Sequence, residues 1–376
     1  TVVPQSRPAM ATLLTGQLPR EHGVRNDIAD RLDPSARTLP VLFREAGFTT
    51  AAFVTSGINA WTSGFQHTFD LFDGPEAYTL GPGAFAPPVR PVSEALDNFE
   101  AWMNAPGETG SRFAWVHMAG LQDVAVDAPR GTALEAYDQA LAGLDADIGR
   151  LIGFLQGWSE QSGPVDIVLV GTYGVHLEDD EFATARGSSY WLDEATLRVP
   201  AVIARLGKGG AVSRRDAAPR WLPDVHATIV SLAGPDSVAL GHGVDLLGAD
   251  PGTDGTARVR YAWSWAPDEE LLWPVLTAVH TGSSWETFDS DTLAGSSPDD
   301  SGSRAFALAR EQAGQGRNYR LSEEAHQGLV AAGVRLGERN QRSPALTGRE
   351  RAEFLSELFR LRIHFAQNRD RRTART

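Results

Sequence analysis

The chain of 376 residues has no cysteine, and Lys208 is its only lysine among 34 basic residues. Without cysteine there are no disulfides and no thiolate metal site. No run reaches the roughly 18 apolar residues that a membrane-spanning helix needs. Positive charge is also scarce, because 48 acidic residues leave a formal net charge of −14. That balance argues against nucleic acid or an anionic membrane surface as the main partner. Internal repeats are absent. What the chain does have is 42% hydrophobic content, ample for a large core.

The stretch from Ser6 to Gly16 carries both marks of a short helix. Pro8 suits a first turn, where its missing N–H costs nothing, and Gly16 suits a left-handed stop. Ala9, Met10, Ala11, Leu13 and Leu14 between them favour helix. Ser6 therefore lies at a helix N-terminus, where free N–H groups and the helix dipole favour an anion. Its hydroxyl is either an N-cap or a nucleophile facing a phosphate- or sulfate-like group. Ahead of it, Thr1-Val2-Val3 reads as the end of a strand.

Further along, Ala36–Gly47 reads as a helix and Phe48–Val54 as a buried strand, half of a βαβ unit of a parallel sheet. Val92–Asn104 is helical with Trp102 on its apolar side, and Phe113–Met118 is a buried strand. Leu134–Gln156 shows apolar residues at three- and four-residue spacing, an amphipathic helix. Asp138, Asp145 and Asp147 on it read as a solvated face. Val165–Gly171 reads as the clearest buried strand in the chain, and chemistry in open parallel sheets gathers beyond the carboxyl ends of such strands. Tyr190–Ile203 reads as a short helix followed by Arg198-Val199-Pro200 opening a strand, and Leu222–Gly234 is a helix with His226 on its surface. Asp250–Thr256 is a linker of turn-forming residues. Beyond it, Arg258–Ser264 and Val275–Gly282 alternate as antiparallel strands, and Arg349–Phe365 reads as an amphipathic helix. The fold class is α/β, a mixed, mostly parallel sheet flanked by helices in 1–250. A smaller α+β part, an antiparallel sheet with a helical tail, occupies 257–376.

Counted back from Thr15-Gly16, the opening stretch resembles the signature of the sulfatase family, in the alkaline phosphatase superfamily. There a Cys or Ser, any residue, Pro, any residue and Arg lead into Leu-Thr-Gly and then His-Gly, here His22-Gly23. Other landmarks of that family follow in order as far as Gly282. The resemblance implies an alkaline-phosphatase-like fold and hydrolysis of sulfate esters with Ca2+ or Mg2+. It also implies, ahead of Thr1, a strand carrying two metal-binding Asp residues, which no stretch of this chain matches.

Carried over residue by residue, the resemblance places the nucleophile at Ser6 and the motif proline at Pro8. Met10 stands where the family has the arginine that supports oxidation of the nucleophile to formylglycine. The leaving-group histidine is replaced by Gln122, which carries no proton that titrates near neutral pH. The metal-binding Asp-His after Val165–Val170 is replaced by Thr172-Tyr173, with Gly174 kept. The ester-gripping lysine falls on Ser189 by one alignment and on Arg186 by another. A hydroxyl and a phenol are poor ligands for a hard divalent cation. The expectation is a sulfatase-like protein, impaired or inactive as an enzyme. The alternative is a working sulfuric- or phosphoric-ester hydrolase that uses Ser6 on a small-molecule ester.

Overall fold

The computed structural model describes residues 1–27, 30–75, 88–106, 110–121, 132–177, 191–207, 218–234, 237–248, 258–266, 275–281, 284–289 and 308–309. Helix α1 (Ser6–Thr15) is followed by α2 (Pro19–His22) and α3 (Leu39–Glu45). After α3 come β1 (Thr49–Val54), β2 (Leu71–Asp73), α4 (Val92–Met103) and β3 (Arg112–His117). Next are α5 (Ala133–Ser162), β4 (Val165–Val170), α6 (Glu194–Leu197), β5 (Ala201–Leu206) and α7 (Leu222–Leu232). Strands β6 (Arg260–Ser264), β7 (Leu276–His280) and β8 (Trp285–Asp289) complete the described elements.

Strand β1 lies between β2 and β3 and runs parallel to both, as the helix-then-strand pattern predicts. Its side chains alternate between two apolar clusters. Ala52 and Val54 join the cluster that holds residues of α1, α3 and α7, whereas Ala51 and Phe53 join the one that holds residues of α4 and α5. Burial on both faces accounts for the apolar run Ala51–Val54 of β1. Strand β3 follows the same alternation, with Phe113 and Trp115 on one side and Ala114 and Val116 on the other.

Several expectations are corrected. Strand β4 is only partly buried and pairs antiparallel with β5, so its apolar sequence does not mark a buried parallel strand. Val2 and Val3 are fully buried but form no strand; instead, the Val2 carbonyl accepts from the Trp263 N–H at 2.9 Å. The C-terminal sheet gains a third strand, β8, beside the expected pair. His226 is buried, not on a helix surface: its Nδ1–H donates to the Leu13 carbonyl at 2.9 Å and ties α7 to α1. The expected helix at Arg349–Phe365 lies outside the described residues.

Glycine is obligatory where α1 ends. Gly16 has φ +70°, and a Cβ there would stand 2.3 Å from the Leu240 carbonyl oxygen and 2.6 Å from the His226 ring. This left-handed stop turns the chain into α2. His22 then holds the corner, its Nδ1 accepting from the Val24 N–H and its Nε2–H donating to Thr12 Oγ1.

Candidate functional site around Ser6

Ser6 is the first residue of α1 and is buried. The cap position belongs to Gln5, and no side-chain cap bond forms there, so the hydroxyl is not an N-cap. Instead, the Asn59 Nδ2 group donates to Ser6 Oγ at 2.7 Å. Asn59, fully buried, ends the short turn Gly57–Asn59 just beyond β1. Its Nδ2 also lies 3.1 Å from His117 Nε2, at the end of the neighbouring parallel strand β3. One carboxamide thus gathers a helix N-terminus and two strand ends at the carboxyl edge of the sheet, where ligand sites of open α/β sheets lie.

The arrangement fixes protonation. An amide nitrogen only donates, so His117 Nε2 accepts and the ring is the neutral Nδ1–H tautomer. Burial pushes the His117 imidazole down to about 4, which keeps it neutral at physiological pH. Two buried polar atoms, Asn59 Oδ1 and His117 Nδ1, have no hydrogen-bond partner among the described residues.

Arg7 and Asp27 complete the frame. The Arg7 guanidinium is fully buried and donates to the Ile58 and Asp30 carbonyls and to Thr62 Oγ1, bracing the turn that presents Asn59. The Arg7 backbone N–H donates to the Asp27 carboxylate at 2.7 Å. A first-turn N–H of α1, the kind of donor an anion would meet, is therefore engaged by an acid of the same chain.

Among the expected site residues, Pro8 and Met10 lie in α1 as the motif requires. Met10 is 2% exposed and belongs to the main apolar cluster. Thr172 and Tyr173 follow β4, which belongs to a different sheet from β1 and β3. They are held through their neighbours: Gly171 N–H donates to the Pro200 carbonyl and Gly174 N–H to that of Thr196. Gly174 is needed there, because a Cβ would fall 1.9 Å from the Ala195 carbonyl oxygen. His176 sits nearby, its Nε2 2.9 Å from an Asp193 carboxylate oxygen. Gln122, Arg186 and Ser189 lie outside the described residues.

The donor set does not fit Ca2+ or Mg2+. Hard divalent cations take carboxylate, carbonyl and water oxygens. The groups joined to Ser6 bring a single neutral carbonyl oxygen, that of Asn59, and among the described residues no three His, Asp or Glu side chains gather as ligands around it.

Comparison with protein families finds no match, and no curated protein matches. Solved structures do match. One is Ps i-CgsB in complex with k-i-k-neocarrahexaose, with a TM-score of 0.56 at 16% identity over 89% of each chain. Another is the phosphonate monoester hydrolase of Silicibacter pomeroyi, at 0.51 and 15%, over 89% of this chain and 87% of that one. A third is a 2-O GAG sulfatase, at 0.50 and 13%, over 89% and 83%. The chain has the sulfatase fold. This chain brings to the sulfatase fold an opening helix, the parallel strands β1 and β3, and a separate antiparallel sheet.

Sequence reasoning missed Asn59, Arg7 and Asp27. The signal for Asn59 was positional, since it follows directly from the carboxyl end of the most buried strand. Arg7 and Asp27 gave no signal, because their partners lie 20 or more residues away.

Proposed function

We propose that the protein uses the sulfatase fold as a binding module and does not hydrolyse sulfate or phosphate esters through Ser6. The observation that carries this reading is the partner of the Ser6 hydroxyl, a carboxamide that donates to it at 2.7 Å. A serine nucleophile needs a base, a lowered pKa or a metal. Asn59 removes no proton, and its donated bond draws on the lone pair that would attack. Asp27 at the α1 N-terminus opposes an incoming ester anion by like charge. Met10, enclosed in the apolar cluster, supplies no donor at the arginine position. A helix dipole, about 0.3–2 kcal/mol, does not replace the several kcal/mol that a metal supplies. The names of the fold's neighbours point to sulfated saccharides and phosphonate monoesters as ligand classes to assay first.

The test is turnover of aryl sulfate and aryl phosphate by wild type and Ser6→Ala, with metal analysis of the purified protein. The expected result is no Ser6-dependent turnover with or without added Ca2+ or Mg2+. Turnover that vanishes in Ser6→Ala, together with stoichiometric metal, would establish the active hydrolase instead.

A further inference from the structure

Strand β6 carries a row of aromatic rings on one face. Tyr261 and Trp263 stack with centroids 5.9 Å apart, and Trp263 and Trp265 with centroids 6.1 Å apart. Two arginines from the segment after α1 lie over this row. The Arg20 guanidinium is 5.4 Å from the centre of the Trp263 ring, and that of Arg25 is 5.5 Å from the centre of the Trp265 ring. Cation–π contact places like charges side by side, which is unfavourable unless something of opposite sign is shared.

No protein acceptor supplies that sign. Arg20 Nε and Nη1, Arg25 Nε and Trp263 Nε1 are all buried without a hydrogen-bond partner among the described residues. The acids nearby in sequence have other partners. Glu21 accepts from Leu18 N–H and pairs with His242, Asp27 accepts from Arg7 N–H, and Asp30 accepts from the backbone N–H of Arg25. Burial, with Arg25 adding to it, pushes the Arg20 guanidinium down to about 10, so the cation stays charged but is under-compensated. A buried donor without a partner costs about 1–3 kcal/mol, more when charged. The four belong to side chains in contact through the Trp263–Trp265 stack, a donor set without a protein acceptor among the described residues.

We propose that Arg20 and Arg25, seated on the Trp263–Trp265 row, form a binding site for a tetrahedral oxyanion group, sulfate or phosphate. The rings hold both guanidinium groups in place by cation–π contact, and a guanidinium edge binds oxygen in the forked geometry that suits these anions. Two cationic forks and an indole N–H offer more donors than the two oxygens of a carboxylate use. The site borders the approach to α1, since Trp263 is bonded to Val2, but it does not use Ser6.

The experiment is a titration of the full chain with sodium sulfate, sodium phosphate and sodium acetate, at ionic strength held constant with chloride. Tryptophan fluorescence and thermal stability are read together. Wild type is expected to show saturable binding of sulfate or phosphate, with stabilisation growing with concentration by mass action up to about 50 mM, and no saturable response to acetate. The paired substitution Arg20→Met, Arg25→Met is expected to weaken binding at least about tenfold, or about 1.4 kcal/mol. Arg20→Lys keeps the charge and the fold but loses the fork, so it is expected to bind several-fold more weakly at unchanged stability in chloride. Ser6→Ala is expected to bind as wild type does. No saturable binding in wild type overturns the proposal, as does binding that survives the arginine substitutions, or binding lost in Ser6→Ala instead. The outcome is independent of whether Ser6 turns over an ester.

Discussion

Restoring the arginine at position 10 tests why this site differs from what its motif implies. Met10 lies one turn after Ser6 on α1, is 2% exposed, and belongs to the same apolar cluster as Leu13, Leu14, Phe43 and Trp263. Met10→Leu nearly conserves volume and is expected to cost less than about 1.5 kcal/mol. Met10→Arg places a guanidinium, which stays protonated, among those side chains. It cannot neutralise itself as a buried lysine or carboxyl does, so the charge remains uncompensated, a situation that costs about 3–5 kcal/mol. Against a typical total of about 5–15 kcal/mol, that is a large fraction of the stability. Urea unfolding followed by circular dichroism measures the difference from the midpoint and slope. If Met10→Arg unfolds within about 1 kcal/mol of Met10→Leu, the pocket around position 10 accommodates a cation and the argument fails. In that event Met10→Arg should be assayed for ester turnover, because the substitution at position 10 would no longer be locked in by packing.

Three further outcomes follow from the contacts around α1. Gly16→Ala is expected to destabilise by about 2–4 kcal/mol in the same assay, because φ +70° and the 2.3 Å approach to the Leu240 carbonyl both exclude a Cβ; a neutral substitution would refute that geometry. Asn59→Asp sets a carboxylate against His117 Nε2, which favours the imidazolium, so NMR should find the His117 titration raised by one or more units from about 4; an unmoved titration refutes the Asn59–His117 contact. Stability should fall with acidity through the buried neutral histidines. The folded-state values of His22, His117 and His226 lie at about 3, 4 and 4, below the ordinary 6.5. The unfolded chain therefore takes up protons first, so their contribution is complete above about pH 6.5 and is lost as pH falls toward 4 and 3, by up to about 1.4 kcal/mol per unit for each ring. Urea midpoints unchanged between pH 7 and 5 would contradict this.

Local signals carried most of the fold and little of the site. Pro8 and Gly16 bracket α1 as read, because both act on their own backbone. A parallel sheet at β1 was legible because a helix leads straight into a buried strand, whereas its pairing with β3 was not. The same rule misled at β4, whose equally apolar sequence pairs antiparallel with β5 and stays partly exposed, since composition does not say how many neighbours a strand receives. His226 looked like a surface residue because its helix is polar on that turn, yet the ring fills the space against Gly16 and bonds Leu13. Both partners lie more than 200 residues away in sequence, beyond any local pattern. Ser6 was legible as a position but not as an environment. Whether its hydroxyl faced a base, a metal or an amide depended on Asn59, 53 residues on.

That dependence explains how the groups at the start of α1 find partners within their own chain. An α1 stripped of metal and substrate would leave a buried hydroxyl and free N–H groups at its start, each costing about 1–3 kcal/mol if unpaired. Here Asn59 donates to the hydroxyl, Asp27 accepts from the Arg7 N–H, and Arg7 in turn locks the turn that presents Asn59. The three contacts are mutually supporting, so the Ser6 hydroxyl and the Arg7 N–H are satisfied from within the chain. Among the described residues, His117 Nδ1–H is left over there, and further unpaired donors lie on Arg20, Arg25 and Trp263. A polypeptide that answers the needs of one potential anion site internally, while leaving a second set of buried cations unanswered beside it, places its strongest attraction for an anion at the second.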